Sequence, residues 1–293
     1  MSARNSRILI TGASGKLGSL IAAGLRKQLP DATIIATARK IDGEVPQRLA
    51  AQGITLRTAD YEKPASLDAA FAGADRLLLV SSSEVGKRAS QHRNAIAAAK
   101  RAGVKLIAYT SVLHADHSPL GLAEEHRQTE AALAASGLPF AVLRNGWYTE
   151  NYTGSIPVAL AHGTVLGSAG QGRISSAARA DYANAAVAVV ASEDGHAGQV
   201  LELAGDTSYT LADYAAELSR QSGKAISYTN LPEADYKAVL LKAGLPEPFA
   251  ALIANSDACA AKGALFDDSG VLSRLIGHPT VPLAQSIAAA LKG

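Results

Sequence analysis

The sequence predicts an α/β fold with a parallel sheet, and three features of the chain lead to this prediction. Apolar runs, several rich in β-branched residues, alternate with helical segments through roughly the first 150 of the 293 residues. A glycine-rich turn separates the first run from the first helical segment. Successive runs lie far enough apart for helical crossovers, which favours parallel strands with helices on both faces. We therefore predict a Rossmann-like, doubly wound parallel sheet with a smaller α/β C-terminal domain.

The first strand, Ile8–Ile10, leads into a turn with glycines at every third position. Gly12 permits a sharp exit from the strand, Gly15 admits a pyrophosphate close to backbone N–H groups, and Gly18 allows tight helix packing. The spacing G-x-x-G-x-x-G differs from the common G-x-G-x-x-G pattern, and an ordinary glycine-rich turn is the alternative. Its place between a strand and a helix predicts a dinucleotide-phosphate loop formed by Gly12, Ser14, Gly15, Lys16, Leu17 and Gly18.

The second strand, Thr33–Ala38, is followed by two basic residues, Arg39 and Lys40. In dinucleotide folds, an acidic residue about 20 positions after the glycine loop binds the ribose 2′-hydroxyl, and an arginine there accommodates a 2′-phosphate. Arg39 therefore predicts NADPH as the cofactor, with NADH bound more weakly. The alternative is a pair of solvated basic residues at a strand end.

Polar and aromatic residues follow the third and fourth strands. The third strand is predicted to end in Asp60 and Tyr61, which suit an adenine edge and face. Ser66 is expected to cap the next helix. The fourth strand, Arg76–Val80, leads into a turn at the edge where open α/β sheets bind ligands. The three serines of this turn, Ser81, Ser82 and Ser83, are predicted to contact the cofactor. The alternative is that they are ordinary turn residues.

Two further strands complete the regular alternation. The fifth covers Val104–Ser111, and a helix over Ala123–Ser136 leads to the sixth at Phe140–Arg144. A flat apolar wall that suits a nicotinamide ring or an aromatic substrate is expected from the residues after it, Asn145, Trp147 and Tyr148.

The loop between the fifth strand and its helix contains His114, Asp116 and His117. No third ligand at helical spacing and no cysteine cluster accompanies them, so we predict no metal site.

The second half of the chain is less regular. Glycines 163, 167, 170 and 172 suggest hairpin-like turns, and Thr210 is placed to cap a helix. We expect this half to lack a full core of its own. The predicted domains are 1–150, an NADP-binding domain to which 180–204 returns, and 151–293, a smaller substrate-binding domain.

Composition narrows the class of partner. With 28 basic and 26 acidic side chains, the net charge of +2 gives no electrostatic case for binding nucleic acid or an anionic membrane. No signal peptide or membrane span is recognisable, and the single cysteine, Cys259, suits a reducing cytoplasm. We expect a cytoplasmic protein that binds small molecules. The oligomeric state cannot be read from the sequence.

The chain resembles the NmrA-like atypical short-chain dehydrogenases/reductases over essentially its full length. The segments that carry this resemblance are the glycine loop, Arg39, the turn at 81–86, the run 108–111 and the run 143–148. Within this family the chain is similar to bacterial type 2 NAD(P)H:quinone oxidoreductases. The resemblance implies an NADP-binding domain, a small substrate domain, and reduction of a quinone or similar aromatic acceptor with NADPH.

The chain departs from the wider superfamily at its catalytic dyad. Matching Glu130 to the helix glutamate of extended members places His126 at the lysine of Tyr-x-x-x-Lys and Leu122 at the tyrosine. Ketone reduction forms an alkoxide whose conjugate acid is about as weak as water, near 15.7. Quinone reduction forms a phenolate comparable to tyrosine, with a pKa near 10, which needs roughly 7 to 8 kcal/mol less help from a proton donor.

The missing dyad therefore disfavours alcohol dehydrogenase or sugar epimerase chemistry and leaves hydride transfer to a quinone as the favoured reaction. His126 is expected to hydrogen-bond either the acceptor oxygen or a ribose hydroxyl. The alternative function is an NADP(H)-binding redox sensor or regulator with little turnover. The candidate catalytic residues are His126, Asn145 and Tyr148.

Overall fold

The computed structural model describes residues 6–292, which form two compact units. Among the described residues, the first unit contains residues up to Val112 together with Glu125–Asn145 and Ala180–Leu201. The second contains Leu113–Glu124, Gly146–Arg179 and the residues from Glu202 onward. Residues 113–124 and 146–150, which the sequence prediction placed with the first domain, therefore pack within the second unit.

The α/β fold class is confirmed, because a seven-stranded sheet organises the structure. The strands are β1 (Arg7–Ile10), β2 (Thr33–Ala38), β3 (Thr55–Thr58), β4 (Arg76–Leu79), β5 (Leu106–Val112), β6 (Phe140–Asn145) and, after the short strand β7 (Thr164–Gly167), β8 (Val200–Leu203). Their order across the sheet is β3-β2-β1-β4-β5-β6-β8, and the pairings that join β1 to β6 are parallel. The order of strands along the sheet therefore reverses between β1 and β4, and doubly wound sheets bind ligands at such a point, at the carboxyl ends of their strands.

Helices connect the parallel strands of the first unit, as right-handed crossovers require. They are α1 (Lys16–Gln28), α2 (Glu44–Ala50), α3 (Pro64–Phe71), α4 (Arg88–Arg101), α5 (Ala123–Ser136) and, after α6 (Glu150–Thr153) and α7 (Ile156–His162), α8 (Arg179–Ala191).

The central strands form the core because their apolar side chains are covered on both faces. Leu9 and Ile35 are fully buried, and they share one apolar cluster with Phe71 and Tyr109. Each such side chain contributes roughly 1.5 to 3 kcal/mol relative to exposure. This rigid sheet fixes the positions of the loops at its carboxyl edge.

Several predicted boundaries are wrong. The third strand ends at Thr58, so Asp60 and Tyr61 lie in the following turn. Ser66 lies inside α3 and does not cap it: its hydroxyl donates to Lys63 O and accepts from Asp60 N, because Pro64 begins that helix. The sequence pattern places the helix before the fifth strand at Asn94–Ala102, but this helix begins at Arg88, because its first turn is largely polar.

The second unit has its own apolar core, contrary to the sequence expectation. Its fully buried residues include Tyr214 and Leu218, which lie on one face of an amphipathic helix. Thr210 caps that helix as predicted, in a capping box with Asp213. The remaining elements are α9 (Leu211–Ser222), β9 (Ser227–Asn230), α10 (Glu233–Lys242), α11 (Glu247–Ala260), α12 (Val271–Ile276) and α13 (Leu283–Leu291).

The predicted hairpin-like turns near residues 163–172 are also wrong. β7 pairs in parallel with β9, which lies about 60 residues further along the chain, with Thr164 opposite Ser227. A pairing between distant segments leaves no local signal, so the glycines alone suggested a turn between neighbouring strands.

No helix in residues 6–292 is long and apolar enough to cross a membrane. Within the same residues, no group of three or more His, Cys, Asp or Glu side chains is arranged to hold a metal ion. His114 instead stacks on His117, with ring centroids 5.2 Å apart.

Candidate functional site

The glycine loop between β1 and α1 is held in a tight backbone conformation. Gly12 has φ of +62°, a left-handed conformation that glycine adopts without steric cost. Gly15 N donates to Gly12 O at 2.9 Å, and Ala13 N donates to Thr37 O at 2.9 Å. A Cβ on Gly18 would lie 2.4 Å from Gly12 O, so the turn closes only because that residue has no side chain.

The start of α1 is an electropositive surface that suits an anion. Gly15 is the N-cap, and no described side chain caps the helix or places a carboxylate in its first turn. Ser14, Gly15 and Lys16 are exposed. The unpaired N–H groups of a first helical turn and the helix dipole both favour a phosphate. The loop residues therefore fit the pyrophosphate of a dinucleotide.

Arg39, at the end of β2, is exposed and ion-paired. Its Nη1 lies 2.7 Å from Oε1 of Glu84, in the loop that follows β4. The side chains are 69% and 31% exposed, so a phosphate from solvent can reach the guanidinium. Sequence analysis predicted Arg39 as a phosphate ligand but gave no indication of Glu84.

The turn of Ser81, Ser82 and Ser83 is anchored through its backbone. Ser81 N donates to Thr110 Oγ1 at 2.9 Å, and Ser82 N donates to Nε2 of His92 at 3.0 Å. Because Nε2 accepts, the neutral His92 ring carries its proton on Nδ1 and donates it to Thr129 Oγ1 at 2.9 Å. Burial lowers the pKa of His92 to about 3, and the positive charge of Arg88 adds to the effect.

The lowered pKa of His92 predicts a pH-dependent stability. Between about pH 6.5 and pH 3, the unfolded histidine takes up a proton that the folded one rejects, so folding stability falls as pH falls through this range. We expect His92→Gln, which keeps a donor and an acceptor, to lose about 1.5 kcal/mol less stability than the wild type between pH 6.5 and pH 5. Urea unfolding at these two pH values measures the difference, and parallel losses in both proteins would contradict it.

Asp60 and Tyr61 have defined partners, and Tyr61 contacts the residue just before the turn of Ser81, Ser82 and Ser83. The Tyr61 hydroxyl donates to Val80 O at 2.8 Å, and its ring meets His92 edge-on with centroids 5.9 Å apart. Burial raises the pKa of Tyr61. Asp60 Oδ1 accepts from Glu62 N at 3.0 Å. Asp60 therefore stabilises its own turn, and Tyr61 contacts the residue that follows β4. Their expected contact with adenine stays a prediction.

His126 lies on α5 and is buried, with 4% of its surface exposed. A hydrogen bond of 2.7 Å joins its Nδ1 to the Tyr109 hydroxyl. Burial lowers the pKa of His126 well below its ordinary value, and the positive charge of Arg88 acts in the same direction. The imidazole is therefore neutral near pH 7 and able to form hydrogen bonds, but it is a poor reservoir of protons.

A buried ion pair fixes α5 to the sheet. Arg144 on β6 donates to both oxygens of Glu130, from Nε at 3.1 Å and from Nη2 at 2.7 Å, and Ser111 Oγ donates to the same carboxylate. The two charged side chains are 9% and 15% exposed. Asn145, the next residue along the chain, is 4% exposed and its Oδ1 has no partner among the described residues, so this amide suits a ligand hydrogen bond.

Trp147 and Tyr148 belong to the second unit and are half-buried. The Arg179 guanidinium lies 4.7 Å from the centre of the Tyr148 ring, a cation–π contact. Trp147 O accepts from Ala177 N at 3.1 Å. Their expected contact with the cofactor stays a prediction.

Sequence reasoning missed Glu84, His92 and the role of Glu130 as a partner of Arg144. These residues lack any local motif, because their partners lie between 10 and 45 residues away along the chain. The local signal for His92 and Glu130 was a polar side chain within a predicted helix, and Glu84 had no such signal.

The sheet order and the uncapped glycine loop define a dinucleotide-binding α/β protein. The family comparison agrees, and the chain belongs to the NmrA-like family, whose model matches residues 4–289.

Relatives of known activity cover nearly the whole chain. It is 58% identical over 280 residues to quinone oxidoreductase 2 of Escherichia coli strain K12. The aligned region covers 96% of this chain and 97% of the relative. A crystal structure of the E. coli NADPH-dependent quinone oxidoreductase with NADPH superposes with a TM-score of 0.93 at 57% identity, covering 97% and 99% of the two chains. The Citrobacter triphenylmethane reductase complexed with NADP(H) gives a TM-score of 0.91 at 36% identity, covering 97% and 99%.

Proposed function

We propose that this protein is an NADPH-dependent oxidoreductase that reduces quinones. The observation that carries the proposal is the exposed, uncapped glycine loop together with an exposed arginine at the end of β2. A pyrophosphate fits the first and a 2′-phosphate fits the second. The 58% identical E. coli relative is a quinone oxidoreductase, which supports the acceptor class.

In this proposal the chain binds and orients the cofactor, and bound NADPH supplies the hydride. The residues Gly12–Gly18 hold the pyrophosphate, and Arg39 holds the 2′-phosphate. The turn of Ser81–Ser83 and the unpartnered Oδ1 of Asn145 offer hydrogen bonds to the ribose and amide portions of the cofactor. Orientation alone supplies a large part of the rate enhancement of such reactions.

The two residues at the positions of the missing dyad agree with an acceptor that tolerates a negative charge. Leu122 stands where related enzymes carry the proton-donating tyrosine, and His126 is held neutral by burial. We propose that His126 contributes a hydrogen bond and leaves protonation of the phenolate product to solvent.

A turnover assay separates this function from that of a redox regulator with the same fold. Purified protein is mixed with NADPH and a simple benzoquinone, and the absorbance of reduced nicotinamide is followed. We expect consumption well above the uncatalysed rate, and competition with a cationic dye then ranks the acceptors. Consumption at the uncatalysed rate with several quinones would favour the regulator.

Replacing Arg39 tests the cofactor preference. Arg39→Ala removes the positive charge beside the proposed 2′-phosphate, so we expect the Kd for NADPH to rise about tenfold while the Kd for NADH changes little. Fluorescence titration measures both. Lys40→Ala is the matched control, because Lys40 is also exposed and basic. Equal losses for NADPH and NADH would contradict the role of Arg39.

We also place the protein in the cytoplasm, where thiols stay reduced and Cys259 remains unpaired.

A further inference from the structure

Glu84 faces the same guanidinium that is proposed to bind the 2′-phosphate. Its Oε1 lies 2.7 Å from Arg39 Nη1, well within the separation of about 4 Å that defines an ion pair. A phosphate oxygen and this carboxylate oxygen compete for the same donor. An anion that binds Nη1 in place of Glu84 also lies within a few ångströms of the displaced carboxylate.

The Glu84 carboxylate is anchored independently of Arg39. Its Oε2 accepts from Nε2 of Gln91 at 3.0 Å, and Gln91 is only 3% exposed on α4. Lys87 Nζ lies 3.8 Å from the same oxygen. Displacement of the Arg39 contact therefore leaves a negative charge in place beside the guanidinium.

The backbone that carries Glu84 is also fixed at several points. Glu84 N donates to Ser82 Oγ at 3.2 Å, and Ser82 O accepts from Arg88 Nε at 2.8 Å. Two residues further on, Gly86 N donates to Glu125 Oε1 at 3.1 Å. These contacts tie the loop to α4 and α5, so the carboxylate has little freedom to move away from an incoming phosphate.

The consequences differ for the two nicotinamide cofactors. A 2′-phosphate loses part of its attraction to Arg39 through competition and is repelled by the carboxylate. A ribose 2′-hydroxyl is a hydrogen-bond donor that a carboxylate accepts, as acidic residues do in NAD-binding folds. The same side chain therefore weakens NADPH and tolerates NADH.

Building on the proposed role of Arg39, we infer that Glu84 competes with the cofactor's 2′-phosphate for this arginine and thereby sets how strongly the protein discriminates NADPH from NADH. Glu84 is a specificity-determining residue that limits the preference for NADPH.

The test is calorimetric binding of adenosine 2′,5′-bisphosphate and 5′-AMP, which differ only in the 2′-phosphate, and it needs no turnover. We expect Glu84→Gln to bind the bisphosphate about three- to tenfold more tightly, the scale of an exposed ion pair plus a screened like-charge repulsion, with 5′-AMP unchanged or slightly weaker. The glutamine keeps the side-chain length and an acceptor for Gln91. The gain should shrink in an Arg39→Ala background.

Asp68→Asn is the matched control, because Asp68 on α3 pairs with Arg101 on α4 at 2.6 Å and is also partly exposed. It removes one negative charge without touching Arg39. An equal gain from Asp68→Asn, or an equal gain from Glu84→Gln with and without Arg39, would overturn the inference.

The two proposals fail in distinguishable ways. If the wild type binds the bisphosphate no better than 5′-AMP, the role of Arg39 is wrong. If the wild type prefers the bisphosphate but Glu84→Gln leaves that preference unchanged, only the inference about Glu84 is wrong.

Discussion

Gly18→Ala is expected to abolish most NADPH binding. The added Cβ would lie 2.4 Å from Gly12 O, 2.9 Å from Gly12 C and 3.1 Å from the Cα of Ala13. All three atoms belong to the backbone, so no flexible side chain can move aside, and the glycine loop must shift away from α1. We expect the Kd for NADPH to rise more than about tenfold and the stability to fall by about 1 to 3 kcal/mol, the cost of overpacking a buried position.

Two other glycines calibrate this result. Gly43 caps α2 with φ of −74°, and the nearest atom to an added Cβ is Pro46 Cδ at 3.8 Å, so Gly43→Ala should leave binding and stability nearly unchanged. Gly15→Ala places its Cβ 3.2 Å from Gly12 O on the exposed side of the loop, so it should weaken binding with a smaller loss of stability. Wild-type affinity in Gly18→Ala would contradict the assigned phosphate loop.

Glu130→Ala should be the most destabilising single substitution near the site. It leaves the guanidinium of Arg144, which is 9% exposed, without the carboxylate that accepts two of its hydrogen bonds. It also removes the acceptor of the Ser111 hydroxyl. Breaking a buried ion pair on one side typically costs about 3 to 5 kcal/mol. Urea unfolding followed by circular dichroism measures the loss.

An exposed ion pair provides the comparison. Glu62 pairs with Lys87 at 2.9 Å, with both side chains at least half exposed, so Glu62→Ala should change stability by less than about 1 kcal/mol. A double variant, Arg144→Met with Glu130→Leu, should recover much of the lost stability, because apolar residues of similar size replace buried ion pairs well. A small effect of Glu130→Ala, similar to that of Glu62→Ala, would show that the pair does not hold α5 on the sheet.

The first unit was predictable from the sequence because its signals are local. The glycine loop, the strand before it and the helix after it form one continuous stretch, so the position of Gly12–Gly18 in a strand-turn-helix unit could be recognised directly. Arg39 was found by its distance from Gly18. The alternation of strands and helices then fixed a parallel sheet through the handedness of the crossovers.

The remaining features depend on contacts between distant residues. Glu84 meets Arg39 across 45 positions, and β7 pairs with β9 across about 60. The conformation of the turn of Ser81–Ser83 depends on buried partners such as His92, which accepts a hydrogen bond from Ser82 N. No pattern in the sequence around His92 distinguishes it from the other polar residues of its helix. His126 was singled out by its alignment to a missing lysine, but only the structure reveals its burial and its bond to Tyr109.

The fate of a deuterium label tests the central claim, stereospecific hydride transfer from oriented NADPH to a quinone. NADPH is deuterated at C4 on one face or the other and oxidised by benzoquinone, with enough protein for the catalysed rate to exceed the uncatalysed rate by a wide margin. The NADP⁺ formed is then analysed by mass spectrometry. We expect one labelled form to lose its deuterium completely and the other to retain it completely, because a bound nicotinamide presents one face to the acceptor. A label distribution equal to that of the uncatalysed reaction, or no NADPH oxidation above that reaction, would contradict the account.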